Sequence, residues 1–130
     1  MKKQYPLISV ITVSYNAVST IEDTILSVIN QTYTNIEYII IDGGSADGTV
    51  GIIEKYVDRI SYWVSEPDKG IYDAMNKGLK VANGDWAIFM GSDDVFFNNK
   101  VIMLVIERIL IPDNIYYGNV ILKTSHKLYP

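Results

Sequence analysis

Leu7-Ile8-Ser9-Val10-Ile11-Thr12-Val13 is the stretch whose reading decides the fold. It is β-branched and almost continuously apolar, as a strand buried on both faces of a parallel sheet must be. It stops at Ser14-Tyr15-Asn16. Working outward, Ile36-Glu37-Tyr38-Ile39-Ile40-Ile41 and Asp85 to Met90 have the same character. Ile60 to Ser65 is more polar and belongs nearer an edge, and Ile115 to Leu122 is expected to be a fifth strand.

Helical periods lie between these runs. Ser19-Thr20-Ile21-Glu22 reads as a capping box, opening a helix whose stripe is Ile21, Ile25, Val28 and Ile29 and which runs to about Gln31. Asp47 is the expected N-cap of a second helix carrying Val50, Ile53, Tyr56 and Val57. A third places Ile71, Ala74, Met75, Gly78, Leu79 and Ala82 on one face and stops at Asn83-Gly84. The fourth, about Lys100 to Leu110, is apolar on most faces and is expected to be well buried. Pro112 lies just past it, and Lys123 to Pro130 shows no pattern.

Strand and helix alternate, which implies an α/β fold. The expectation is an open, mainly parallel, Rossmann-like sheet with helices on both faces and right-handed crossovers. In such a sheet the loops leaving the strands share one edge, and ligands bind there. Each polar cluster follows a strand: Tyr15-Asn16, Asp42 to Thr49, Glu66 to Gly70, and Ser92-Asp93-Asp94.

With 130 residues, 48% of them hydrophobic, the chain is one domain with a real core. A net charge of -4 argues against a nucleic-acid partner. The absence of cysteine excludes disulfides and thiolate zinc sites and permits a reducing compartment. Neither Leu7 to Val13 nor Val101 to Ile111 is long and apolar enough for a spanning helix. The expectation is therefore a cytoplasmic protein, with attachment at the inner face of the membrane left open.

Asp93-Asp94 sets two like charges side by side, which is unfavourable without a positive neighbour. A divalent metal holding a phosphorylated ligand supplies one, and solvent is the plainer alternative. No G-x-G-x-x-G follows the first strand and no P-loop is present. Without a backbone cradle for phosphates, a metal bound by acids is the favoured way to neutralise a diphosphate.

Four blocks carry a resemblance. Val10 to Asn16, Ile41 to Thr49, Glu66-Pro67-Asp68-Lys69-Gly70 with Ile71 to Gly78, and Gly91-Ser92-Asp93-Asp94 resemble the motif blocks of family 2 glycosyltransferases, in the family's order. The resemblance implies a GT-A fold and inverting transfer of a sugar from a nucleotide-sugar donor, foremost a UDP-sugar. The acceptor would be a saccharide or lipid-linked hydroxyl in cell-surface polysaccharide or glycolipid biosynthesis. It implies that Tyr15 and Asn16 sit by the nucleoside and that Asp42 hydrogen-bonds the uracil ring. Lys69 and Gly70 would lie near base and diphosphate, Asp93 would contact the ribose, and Asp94 would hold Mg²⁺ or Mn²⁺. The family's D-x-D pattern has Ser92 at its first position here, which leaves Asp94 as the main carboxylate on the metal.

A general base is expected further downstream in this family. After Asp94 the chain offers Glu107, Asp113 and His126, and none is assigned that role. Residues 1–130 are thus read as a single nucleotide-sugar-binding domain lacking the acceptor-binding part, weakly active or inactive alone and open to self-association. The alternatives are a non-catalytic nucleotide-sugar-binding or regulatory module, and an interaction domain whose acidic loops are merely solvated.

Overall fold

The computed structural model describes residues 5–108 together with residues 120–121 and 128–129. Strand β1 (Ile8–Ser14) is central, and β2 (Ile36–Asp42) lies against one side of it. Strand β3 (Tyr62–Ser65) lies beyond β2, and β4 (Trp86–Gly91) pairs with the other side of β1. The order is β3-β2-β1-β4 and every pairing is parallel, with β3 at an edge as its polarity implied.

Alternate residues of a strand face opposite ways, and here each face meets helices. Ile8 and Val10 join Tyr38, Ile40 and Met90 in one core. It packs beneath α1 (Ile21–Ile29), α2 (Thr49–Glu54) and α4 (Val101–Arg108) through Ile25, Ile53 and Ile102. Ile11, Ile39 and Ile41 form the other core, under α3 (Ile71–Val81). The α/β sheet covered on both faces is therefore present.

Chain direction defines the useful crevice. From β1 the chain passes through α1 to β2 and then to β3, always moving one way. After α3 it returns to the far side of β1 as β4. The direction of strand addition therefore reverses between β1 and β4, and ligands of open α/β sheets bind at such a switch point. The opposite edge is closed by polar contacts. Ser9 Oγ donates to Glu37 Oε1 at 2.8 Å, the Asn83 N–H donates to the same oxygen at 2.7 Å, and the Gly84 N–H donates to Ser9 Oγ at 2.9 Å.

Several local expectations need correction. The capping box does not form: Thr20 is the N-cap of α1 and makes no side-chain cap bond. Glu22 instead accepts from the Tyr56 hydroxyl at 2.8 Å and pairs with Lys55 at 2.7 Å. Charge-assisted partners are stronger for a carboxylate than a neutral N–H. The N-cap of α2 is Gly48 at φ 106°, with Asp47 one residue outside it. The helix ends at Glu54, because the N–H groups of Lys55 and Tyr56 turn to carbonyls three residues back. Tyr56 and Val57 therefore lie beyond it.

The face of α3 is also different. Ile71 is 58% and Leu79 46% exposed, while Ala74 and Gly78 are buried. A Cβ on Gly78 would stand 2.6 Å from Ile11 Cγ2, so the absence of a side chain lets the helix lie close on β1. Helix α4 is half-buried: Ile102 and Ile106 are enclosed, whereas Leu104 and Val105 are exposed. Most of the expected strand from Ile115 to Leu122 lies outside the described residues. Its Val120–Ile121 (β5) pairs antiparallel with Leu128–Tyr129 (β6) in a separate sheet. Among the described residues no helix is long and apolar enough to cross a membrane.

Candidate functional site

The carboxyl edge of the sheet carries a row of polar residues in register. Ser14 pairs with Asp42, and Asp42 pairs with Ser65. Asp42 is completely buried. Its Oδ1 accepts from the Ser14 hydroxyl at 2.7 Å and the Ser45 hydroxyl at 2.6 Å. Its Oδ2 accepts from the Ser45 N–H at 2.8 Å, the Gly44 N–H at 3.2 Å and the Ser65 hydroxyl at 2.7 Å. Burial alone would raise its pKa, but the donors from Ser45, Ser65 and Ser14 outweigh it and hold the carboxyl below its ordinary value. The carboxylate thus ties the ends of three strands together. Both of its oxygens accept from the chain's own donors.

Above this row the first two loops are joined bond by bond. The Asn16 N–H donates to Ser45 Oγ at 2.7 Å, and Asn16 Oδ1 accepts from the Ala46 N–H at 3.0 Å. The Ala17 N–H donates to Thr49 Oγ1 at 2.8 Å and the Val18 N–H to Asp47 Oδ2 at 3.2 Å. Asn16 sits at φ 46°, a left-handed conformation that asparagine tolerates better than most residues. Its side chain is therefore committed to the neighbouring loop. Tyr15 is not: it is 66% exposed at the end of β1.

The third loop is braced by two carboxylates. Asp68 Oδ1 accepts from the Gly70 N–H at 3.0 Å and Asp73 Oδ2 from the Lys69 N–H at 2.9 Å. Gly70 has φ 116°, which favours glycine. The Lys69 side chain is exposed, whereas Lys77 pairs with Glu66 at 3.1 Å.

After β4 the chain turns back on itself. The Asp94 N–H donates to the Gly91 carbonyl at 3.1 Å, and Asp94 Oδ2 accepts from the Gly91 N–H at 2.8 Å. Asp93 and Asp94 are both exposed. A Cβ on Gly91 would meet Asp93 Oδ1 and Asp94 Oδ2, each at 3.2 Å, so both carboxylates gather over this glycine. Among the described residues no group of three or more His, Cys, Asp or Glu could hold a metal. One fixed, exposed carboxylate suits Mg²⁺ or Mn²⁺ only where phosphates and water supply most ligands, which is how Mg²⁺ is commonly bound.

Tyr15, Asn16, Asp93 and Asp94 therefore flank the switch between β1 and β4, with Lys69 and Gly70 on the loop after β3. Glu107 is exposed on α4 rather than buried, and Asp113 and His126 lie outside the described residues. The serines that hold Asp42 escaped the sequence reading. Their signal was a serine near the end of each of three successive strands: Ser14, Ser45 and Ser65.

Among known proteins, residues 9–127 match glycosyl transferase family 2. An uncharacterized glycosyltransferase of Mycobacterium tuberculosis is 42% identical over 105 residues, covering 80% of this chain and 40% of the relative. A PGL/p-HBAD biosynthesis glycosyltransferase of the same species is 29% identical over 126 residues, covering 93% of this chain and 49% of the relative. The chain thus spans less than half the length of these relatives. Among solved structures, Staphylococcus aureus TarS 1-349 in complex with UDP-GlcNAc superposes with a TM-score of 0.69 at 27% identity. That match covers 75% of this chain and 29% of TarS 1-349.

Proposed function

The chain belongs to glycosyl transferase family 2, and from that premise we propose that its carboxyl-edge crevice binds a nucleotide-diphosphate sugar, foremost a UDP-sugar, for inverting transfer to an acceptor hydroxyl. The observation that carries this is the placement of Tyr15-Asn16 and Asp93-Asp94 on the loops that leave the neighbouring parallel strands β1 and β4. The UDP-GlcNAc complex of TarS supports the donor class. The resemblance of the motif blocks points to a saccharide or lipid-linked acceptor in cell-surface polysaccharide or glycolipid synthesis, and one relative is named for PGL/p-HBAD biosynthesis. A lipid-linked acceptor would bring this otherwise cytoplasmic protein to the inner face of the membrane.

The roles follow from exposure. Tyr15 offers an open aromatic face for the nucleoside. Asn16 shapes that wall through Ser45 and Ala46, and Asp42 orders it from beneath. Lys69, exposed at the loop before α3, supplies positive charge toward the diphosphate, and the unhindered Gly70 lets backbone approach it. Asp93 accepts from ribose hydroxyls, and Asp94 presents the carboxylate for Mg²⁺ or Mn²⁺. When bound, that ion stabilises charge on the leaving diphosphate as a Lewis acid. The acceptor needs a general base. We assign none among the described residues and place base and acceptor site in the part of its relatives that this chain does not span.

Calorimetric titration with UDP tests the reading. The expected result is binding tightened roughly tenfold or more by Mn²⁺, about 1.4 kcal/mol. Identical heats with and without Mn²⁺, or no heat at all, would count against it.

A further inference from the structure

Helix α1 carries a polar rail beside its apolar stripe. Thr24 and Ser27 lie three residues apart on one face of the helix, and Gln31 follows two residues past its end. All three contact the loop that leaves β4. Thr24 Oγ1 donates to the Asp94 carbonyl at 2.6 Å, and the Phe96 N–H donates to Ser27 Oγ at 3.3 Å. Gln31 uses both ends of its amide: Nε2 donates to the Asn98 carbonyl at 2.7 Å and Oε1 accepts from the Ile102 N–H at 3.1 Å. Thr24 and Gln31 are buried, at 0% and 6% exposure. A buried polar side chain requires a partner, and here the partners are backbone groups of a segment without strand pairing.

We infer that Thr24, Ser27 and Gln31 are positioning residues that set the direction of the Asp94 carboxylate toward a divalent cation. This rests on the reading of Asp94 as the metal ligand. Asp94 is held at three points: its carboxylate accepts from the Gly91 N–H, its own N–H donates to the Gly91 carbonyl, and its main-chain carbonyl accepts from Thr24, the bond that ties it to α1. The bond from Thr24 transmits the rigidity of α1, which is anchored in the core by Ile21, Ile25 and Val28. Releasing the carbonyl leaves the side chain pinned at Gly91 alone, free to swing with the loop. Groups that orient a metal ligand from behind typically alter affinity by roughly 10- to 100-fold.

The test is an Mn²⁺ titration followed by electron paramagnetic resonance at saturating UDP, with UDP affinity measured separately without metal. Thr24→Val keeps the shape and removes the hydroxyl. It is expected to weaken Mn²⁺ binding by roughly tenfold and to leave metal-free UDP affinity unchanged, and Thr24→Ser should restore the Mn²⁺ constant. Glu22→Gln loosens α1 from Lys55 and Tyr56 without touching the loop, and should leave Mn²⁺ binding as it was. Should Thr24→Val not fold, Ser27→Ala reads the same quantity at a half-buried position. Asp94→Asn separates the two ideas. If it abolishes Mn²⁺ binding while the α1 variants bind normally, the positioning role is overturned and the metal site stands. If it binds Mn²⁺ normally, the metal reading falls and the positioning role with it. Equal loss of metal-free UDP binding in Thr24→Val would show a merely structural contact and also overturn the inference.

Discussion

Replacing Asp94 with Asn removes the Mn²⁺ dependence of UDP binding, with a loss of roughly 100-fold in metal-supported affinity, about 2.7 kcal/mol. An asparagine side-chain oxygen can still accept from the Gly91 N–H, so the turn survives and only the charge is lost. Among the described residues no third acid joins Asp93 and Asp94 in a metal-binding group, so little can compensate. Asp93→Asn should behave differently. Its carboxylate also lies over Gly91, but its proposed partner is the ribose, so it should weaken UDP alike with and without Mn²⁺. Titrations of the two variants with and without Mn²⁺ check this. An Asp94→Asn protein whose UDP affinity still rises with Mn²⁺ would remove the basis for the metal assignment.

Asp42→Ala destabilises the fold by about 3–5 kcal/mol, the scale for removing one partner from a buried charged network. Three hydroxyls and two N–H groups lose their acceptor at once. Ser45 also anchors the Asn16 N–H, so the wall beside Tyr15 should loosen and UDP binding should fall with stability. The same residue predicts a pH effect with a definite sign. Its folded pKa lies below the ordinary aspartate value, held there by the donors from Ser45, Ser65 and Ser14. It therefore contributes stability in full above the unfolded pKa, and that contribution disappears as pH falls through the folded pKa. Denaturant midpoints measured from about pH 7 down to about pH 3 should drop in the parent chain, and less in Asp42→Asn. Equal acid sensitivity of the two proteins would contradict the role given to this carboxylate.

The fold was legible because strand burial is written in composition. Leu7 to Val13 has almost no polar side to show, and a strand of that kind needs cover on both faces. Helix faces were less legible. Ile71 and Leu79 look like core residues, but the contact with β1 is made by Ala74 and Gly78, and close approach rewards the smaller side chains. Leu104 and Val105 mislead in the same way: hydrophobicity states a preference, and the elements packed nearby decide burial.

In the site, the loops were readable from their place after strands. What could not be read was the choice each polar group makes between chain and ligand. Asp42 reads as a site residue in sequence, and its bonds to the hydroxyls of Ser14, Ser45 and Ser65 were not visible there. Glu22 fits a capping box, yet Lys55 and Tyr56 take it. Both outcomes depend on residues distant in sequence, which local patterning does not encode.

The central claim is that ligand binds at the switch between β1 and β4. Amide chemical-shift mapping with UDP and Mg²⁺ tests it most directly. The prediction is that shifts concentrate at Tyr15, Asn16, Lys69, Gly70 and Gly91 to Asp94, while Ser9, Glu37, Asn83 and Gly84 at the opposite edge stay in place. Shifts confined to that opposite edge, or no shifts at saturating UDP and Mg²⁺, would contradict the account.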